Sequence, residues 1–232
     1  MMKHCLLITA FLLTIVAGDA AETWPSALRR MPLGAAVGSL NQTNCALLLL
    51  GGFQSNATVK ALIFMPGATD ELFFFRRVQA NLTNANPTLF DALVALTNQS
   101  PLRVTFHPPF LLVYSEEDVL ELAVTIQHPR TVDKLKAGKP IPHVLTLDRD
   151  WNQLLALIKK PISATLWPYR GTRESWHFYR HTFAGWNLTP WEVLEAAALA
   201  GKTQFTVRRG TVVFEIDPRN GTIPQLEKFP GH

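Results

Sequence analysis

The sequence predicts an α+β fold of two tandem βαββαββ modules, each with two helices packed against small mixed sheets. Three observations carry this expectation: a self-similar pattern met twice, two matching helix starts and two matching hairpins. Gly67, Asp70, Phe74, Phe75 and Arg76 align with Gly171, Glu174, Phe178, Tyr179 and Arg180. Further on, Thr88, Leu89, Asp91 and Leu93 align with Thr189, Pro190, Glu192 and Leu194, then Leu111-Leu112-Val113 with Val212-Val213-Phe214. The displacement is 104 residues in the first block (Gly67 to Gly171) and 101 in the others (Thr88 to Thr189), a difference that one loop absorbs.

The elements follow in chain order. Strands are expected over 36–40, 58–64, 143–147 and 162–167, where short apolar runs meet turn residues. Between the strands of each pair lies a helix, 44–50 in the first copy and 151–160 in the second. Asp150 is placed to cap the second of these, Leu154, Leu155 and Ile158 give it an apolar side, and Pro161 stops it. Period-2 alternation predicts an aromatic strand through Leu72, Phe74, Arg76 and Val78, and its counterpart through Trp176, Phe178, Arg180 and Thr182. Thr88 with Asp91 and Thr189 with Glu192 each put a hydroxyl at the N-cap and an acid three residues later, so a helix of about three turns starts at each. Leu89, Leu93 and Leu96, and Trp191, Leu194 and Ala198, give each of these helices one buried face. Two hairpins close the copies, 102–106 with 110–114 around His107-Pro108-Pro109, and 204–208 with 211–216 around Arg209-Gly210.

Composition bounds the function. The 232 residues are 47% hydrophobic and 17% charged, the make-up of a globular protein. Residues 1–20 read as a signal peptide: Lys3 precedes an unbroken apolar stretch, and Gly18 and Ala20 are small residues at a cleavage site. That apolar stretch is shorter than the roughly 20 residues a spanning helix needs, so no membrane span is expected in the mature chain. Lys3 and Asp19 leave together, so the net charge stays at +4, and the remaining basic residues are scattered rather than gathered for a phosphate backbone. Nucleic acid is therefore not an expected partner. Cys5 leaves as well, so Cys45 has no intramolecular partner and reads as a small buried hydrophobe. The remaining organisation is a first module over 21–118, a connector over 119–142 and a second module over 143–232. Six sequons, at Asn41, Asn56, Asn81, Asn98, Asn187 and Asn220, have two readings: hydrogen-bonding turn and cap residues, or glycan acceptors of a eukaryotic secreted protein.

The stretch from Asn187 through Thr189-Pro190-Trp191-Glu192, Gly201 and the hairpin to Val213 resembles the second half of the short N-terminal domain shared by secretins and TonB-dependent proteins. Residues 84–113 resemble the same unit, with Pro101 where a glycine would be favoured. The resemblance implies a βαββαββ module with two helices between two small sheets, used in bacterial envelopes to dock other proteins. No succession of ten-residue amphipathic strands with aromatic girdles follows, so a pore is not implied.

Candidate chemistry is sparse. Glu174, His177 and His181 have the spacing of metal ligands on a helix, but the aligned copy makes the stretch a strand, on which the two histidines stand about 13 Å apart. Asp148 and Asp150 pair two carboxylates, one of which already serves as a cap. No nucleophile elbow, phosphate loop or zinc-protease motif is present, and no catalytic residue, metal or cofactor is expected. A partner surface is expected on the second faces of the aromatic strands, at Phe73, Phe75 and Arg77 and at His177, Tyr179 and His181, because aromatic and cationic side chains are enriched at binding hot spots. The same residues would also fit under the opposing helices or between the two copies. The sequence thus leads to a secreted or periplasmic, non-enzymatic protein that docks a protein partner in the cell envelope. An extracytoplasmic hydrolase with its site between the modules and a eukaryotic secreted glycoprotein stand as alternatives.

Overall fold

The computed structural model describes residues 22–34, 38–41, 43–65, 78–115, 124–167 and 180–216. The fold is mixed α+β, with six helices and three sheets among the described residues. The helices are α1 (Trp24–Arg29), α2 (Cys45–Gly52), α3 (Leu89–Gln99), α4 (Pro129–Lys136), α5 (Trp151–Ile158) and α6 (Pro190–Ala200). The first five strands are β1 (Ser39–Asn41), β2 (Ala61–Phe64), β3 (Gln79–Asn81), β4 (Leu102–His107) and β5 (Phe110–Ser115). They are followed by β6 (Val124–Ile126), β7 (Ile141–Arg149), β8 (Thr165–Trp167), β9 (His181–Leu188), β10 (Thr203–Arg208) and β11 (Thr211–Ile216). One sheet has the order β4-β5-β2-β9-β7, a second β6-β10-β11-β8, and a third pairs β1 with β3.

The two longest helices start where the hydroxyl and acid pairs place them. Asp91 N–H donates to Thr88 Oγ1 (3.3 Å) and Thr88 N–H to Asp91 Oδ2 (2.9 Å), while Glu192 N–H donates to Thr189 Oγ1 (3.2 Å) and Thr189 N–H to Glu192 Oε2 (2.8 Å). The bond from the Thr88 backbone holds the Asp91 carboxyl below its ordinary range. At α5, Asp150 Oδ1 accepts from Gln153 N–H at 2.9 Å. Asparagines serve turns in the same way. Asn41 Oδ1 accepts from the N–H groups of Thr43 and Asn44, and Asn56 Oδ1 from those of Thr58 and Val59.

Two cores lie on opposite faces of the five-stranded sheet. On one face Ala61, Ile63, Leu112 and Phe183 pack with α4, α5 and α6 and with Phe205, Val212 and Phe214 of the four-stranded sheet. On the other face Leu62, Phe64, Leu111, Val113 and Ala184 pack with α1, α2 and α3 and with the β1–β3 pair. β2 is central, so both of its faces are buried, which is why its sequence is an unbroken apolar run rather than an alternation. α3 buries one face, as its spacing predicts. α6 does not: it lies between the two larger sheets and is buried nearly all round, its alanines allowing close approach from both sides. Of its two acids, Glu192 pairs with Lys60 at 2.7 Å, and desolvation pushes the half-buried Glu195 carboxyl upward.

Three features differ from the sequence expectation. In the connector, 119–142, the apolar run over 118–127 reads as extended or helical and holds β6, which pairs parallel with β10, but the Lys, Pro and Gly-rich link after it forms α4. β2 pairs antiparallel with β9, so one sheet takes strands from both halves of the chain. The strand expected through Thr182 continues to Leu188, directly before the N-cap of α6, while its counterpart through 72–77 lies outside the described residues.

Cys45 is fully enclosed in the second core, and burial pushes its thiol up to about 12. A water-soluble disulfide reagent is expected to leave the native chain from residue 21 onward unlabelled and to label its one thiol in denaturant. Rapid labelling of the native protein would contradict the packing of α2.

Candidate functional site

Of the residues predicted to form a partner surface, Phe73, Phe75, Arg77, His177 and Tyr179 lie outside the described residues. His181 is placed, and it is not a surface group. It begins β9 at 0% exposure, with Nδ1 3.1 Å from the Arg149 carbonyl oxygen and its ring edge-on to Trp151 at 4.4 Å. A Cβ on Gly201 would fall 2.4 Å from its Nε2, so a glycine is required there to admit the ring. Burial lowers the imidazole pKa to about 4, against the bond to Arg149 and the nearby Asp150, both of which favour the charged form. Of the two readings of His181, partner surface or packed side chain, the structure gives the packed one, because β9 is an interior strand of its sheet with a packed layer on each side.

The metal spacing does not assemble around His181 either. Glu174 and His177 lie outside the described residues, Asp150 is engaged as a cap, and Asp148 faces Arg180 at 3.8 Å. Among the described residues no three histidine, cysteine or acidic side chains converge. Nor is any helix among them long and apolar enough to cross a membrane.

What the fold does assemble is a cationic groove of about 750 Å³ at one end of the four-stranded sheet. The floor is built by α4 and the β10–β11 turn. Thr131 Oγ1, buried on the first turn of α4, accepts from the Gly210 N–H at 3.2 Å and shares a 2.8 Å hydrogen bond with His128 Nδ1. That contact locks the helix to the hairpin, while Val132 and Leu135 anchor the helix in the core. The rim carries Arg130 and Lys134 from α4 and Arg209 from the turn, all exposed, with Ser163 on the side where β8 begins. Among the described residues, none that lines it is acidic. A concavity walled by charges of one sign concentrates ligands of the other.

No family model, curated protein or solved structure matches the chain.

β8, at the edge of the same sheet among the described residues, starts beside this groove, and Thr165 N–H donates to the Gly210 carbonyl at 2.9 Å. Trp167, at its far end, is 58% exposed. Ser163 on the groove and the exposed Thr165 and Trp167 thus follow at every second position along one segment of the chain. The sequence held part of the signal: Arg209-Gly210 reads as a hairpin turn, and Pro129 stands at the first position of a short helix. Nothing local to either segment says that they meet.

Proposed function

We propose that the chain is a secreted or periplasmic, non-enzymatic docking protein of the bacterial cell envelope. It is built from two tandem βαββαββ units like the short N-terminal domain of secretins and TonB-dependent proteins. The observation that carries this reading is the recurrence of one pairing scheme. The order β1-α2-β2-β3-α3-β4-β5 returns as β7-α5-β8-β9-α6-β10-β11. The antiparallel pairs β1·β3 and β4·β5 return as β7·β9 and β10·β11, and the parallel pair β2·β5 as β8·β11. Register is kept too. Leu102↔Ser115 to His107↔Phe110 becomes Thr203↔Ile216 to Arg208↔Thr211, a displacement of 101 residues on both strands. Ala61↔Phe110 becomes Thr165↔Thr211, displaced by 104 on one strand and 101 on the other, the same two displacements found in the sequence. Chance strand pairing has no reason to respect either number.

The second unit docks an extended, acidic segment of a partner protein. Such a segment would add to the edge of β8 through main-chain hydrogen bonds, seat an apolar side chain against Trp167, and place its carboxylates over Arg130, Lys134 and Arg209. Fluorescence anisotropy with an extended glutamate-rich peptide and its lysine-rich counterpart tests this on the chain from residue 21 onward. The acidic peptide is expected to bind, with an affinity that falls as salt rises, and Arg130→Glu with Arg209→Glu is expected to weaken it by about tenfold or more. Equal binding of the two peptides, or no effect of the charge reversals, would reject the groove.

A further inference from the structure

We infer that the groove between residues 81–84 and α3, in the first unit, docks an extended apolar segment of a partner protein through a lysine that pairs with Asp91. The inference rests on the doubling proposed above, and its template lies inside the molecule. In the second unit the capping acid of α6 divides its two oxygens. Glu192 Oε2 accepts from the Thr189 N–H at 2.8 Å, and Oε1 holds Lys60 Nζ at 2.7 Å. Lys60 stands directly before β2, whose Ala61 and Ile63 lie in the core shared with α6. The strand runs antiparallel to β9, with the Trp186 N–H on the Lys60 carbonyl at 3.0 Å and Ala61 opposite Gly185. A lysine on the cap and apolar residues on the helix thus hold one extended segment in place.

The first unit has the receiving half of this arrangement, and among the described residues β3 pairs only with β1. The counterpart of Glu192, 101 residues earlier, is Asp91 on α3. Its Oδ2 accepts from the Thr88 N–H at 2.9 Å, the Thr88 hydroxyl at 2.8 Å and Asn84 Nδ2 at 3.3 Å, while Oδ1 has no hydrogen-bond partner among the described residues. With the bond from the Thr88 backbone holding it below its ordinary range, this carboxyl is charged at neutral pH. Arg29, over the Phe90 ring at 4.3 Å, acts on that charge from beyond ion-pair distance. Beside Asp91 lies a groove of about 250 Å³, lined by Asn81 and Asn84 on one side and by Phe90, Val94 and Asn98 of α3 on the other. Among the described residues, none that lines it is basic.

The face of α3 on this groove is open where that of α6 is covered. Asn98 is exposed and its counterpart Leu199 is 3% exposed, while Val94 is 39% exposed. The far end of the groove is already filled. Gln99 Oε1 accepts from the Asn81 N–H at 2.9 Å, and Gln99 Nε2 donates to the Asn81 carbonyl at 3.1 Å. Asn81 corresponds to Thr182, which lies opposite Phe64, so a docked segment needs only the positions that Lys60 to Ile63 take in the template. Its ammonium meets Asp91, its apolar residues cover Val94, and its main chain follows residues 82–84 as an added strand. A lysine-rich peptide without apolar side chains lacks the part that covers Val94 and is not a ligand of this site.

Fluorescence anisotropy on the chain from residue 21 onward tests the inference, with a labelled peptide that carries the order Val-Lys-Ala-Leu-Ile of residues 59–63 between Gly-Ser flanks. The peptide is expected to bind, and glutamate in place of its lysine is expected to weaken it by about tenfold or more. Asn98→Lys sets a like charge on the groove, leaves the cap intact, and is expected to weaken the lysine peptide by about as much. Asp91→Asn, which keeps an acceptor for the Thr88 N–H, is expected to do the same while the near-ultraviolet circular dichroism stays that of the wild type. No binding, equal binding of the two peptides, or an affinity that Asn98→Lys leaves unchanged would overturn the site. Failure of the doubling would appear separately, as cross-strand contacts that do not recur between the two hairpins, and failure of the cationic groove through its own charge reversals.

Discussion

Replacing Trp151 with alanine is expected to lower the unfolding free energy by about 3–5 kcal/mol, the range for a fully buried aromatic side chain. Trp151 is 1% exposed and stands at the start of α5, between two sheets. Its ring lies 4.4 Å from His181 of β9 on one side and 4.7 Å from Phe214 of β11 on the other, measured between centroids. Truncation therefore opens a void where the five-stranded and four-stranded sheets meet, and neither wall can close it without moving a strand. Set against a total stability of about 5–15 kcal/mol, the loss is a large fraction. Leu157→Ala, on the exposed side of the same helix, is expected to stay within about 0.5 kcal/mol. Urea unfolding of the two variants checks the contrast, and a cost below about 1 kcal/mol at Trp151 would contradict the packing.

Acid is expected to destabilise the protein through His181. The folded state holds this imidazole neutral, with its pKa lowered to about 4 from an ordinary 6.5, and Nε2 is buried without a hydrogen-bond partner among the described residues. The unfolded chain takes up the proton near pH 6.5 and the folded chain does not, so unfolding gains a proton below that pH. The stabilisation is whole above about pH 6.5 and declines as the pH falls towards 4, by on the order of 3 kcal/mol across the interval. The upper part of this window lies above the range in which ordinary carboxylates titrate, which separates the histidine from them. Urea unfolding free energies measured at stepped pH are expected to fall between pH 6.5 and 5 in the wild type and to stay flat there in His181→Gln. A wild-type stability that holds constant over that span would contradict the burial of the ring.

Local chemistry was legible and long-range pairing was not. The three caps at Thr88, Asp150 and Thr189 announced their helices because side chain and backbone meet within three residues. Both hairpins were legible for the same reason, since turn and strands are contiguous. α4 was missed because only Val132 and Leu135 mark its apolar side within a stretch of Lys, Pro and Gly. The β2·β9 seam joins residues more than a hundred positions apart, and no local pattern encodes it. It also decides between the two readings of His181, partner surface or packed side chain, because an alternating strand has an inner and an outer face only while one side of its sheet stays uncovered. The groove follows the same rule: Arg130 and Arg209 belong to segments that meet only through Thr131 and Gly210.

The claim on which the rest depends is that one unit occurs twice and that its copies are joined edge to edge at β2 and β9. Cross-strand Hα–Hα nuclear Overhauser effects test it directly, because directly opposed residues in non-hydrogen-bonded pairs approach most closely. The account predicts such contacts for Ile63 with Phe183 at the seam, and for Val104 with Val113 and Phe205 with Phe214 at matching positions of the two hairpins. Hairpins found in different registers, or Ile63 and Phe183 found without contact, would contradict it.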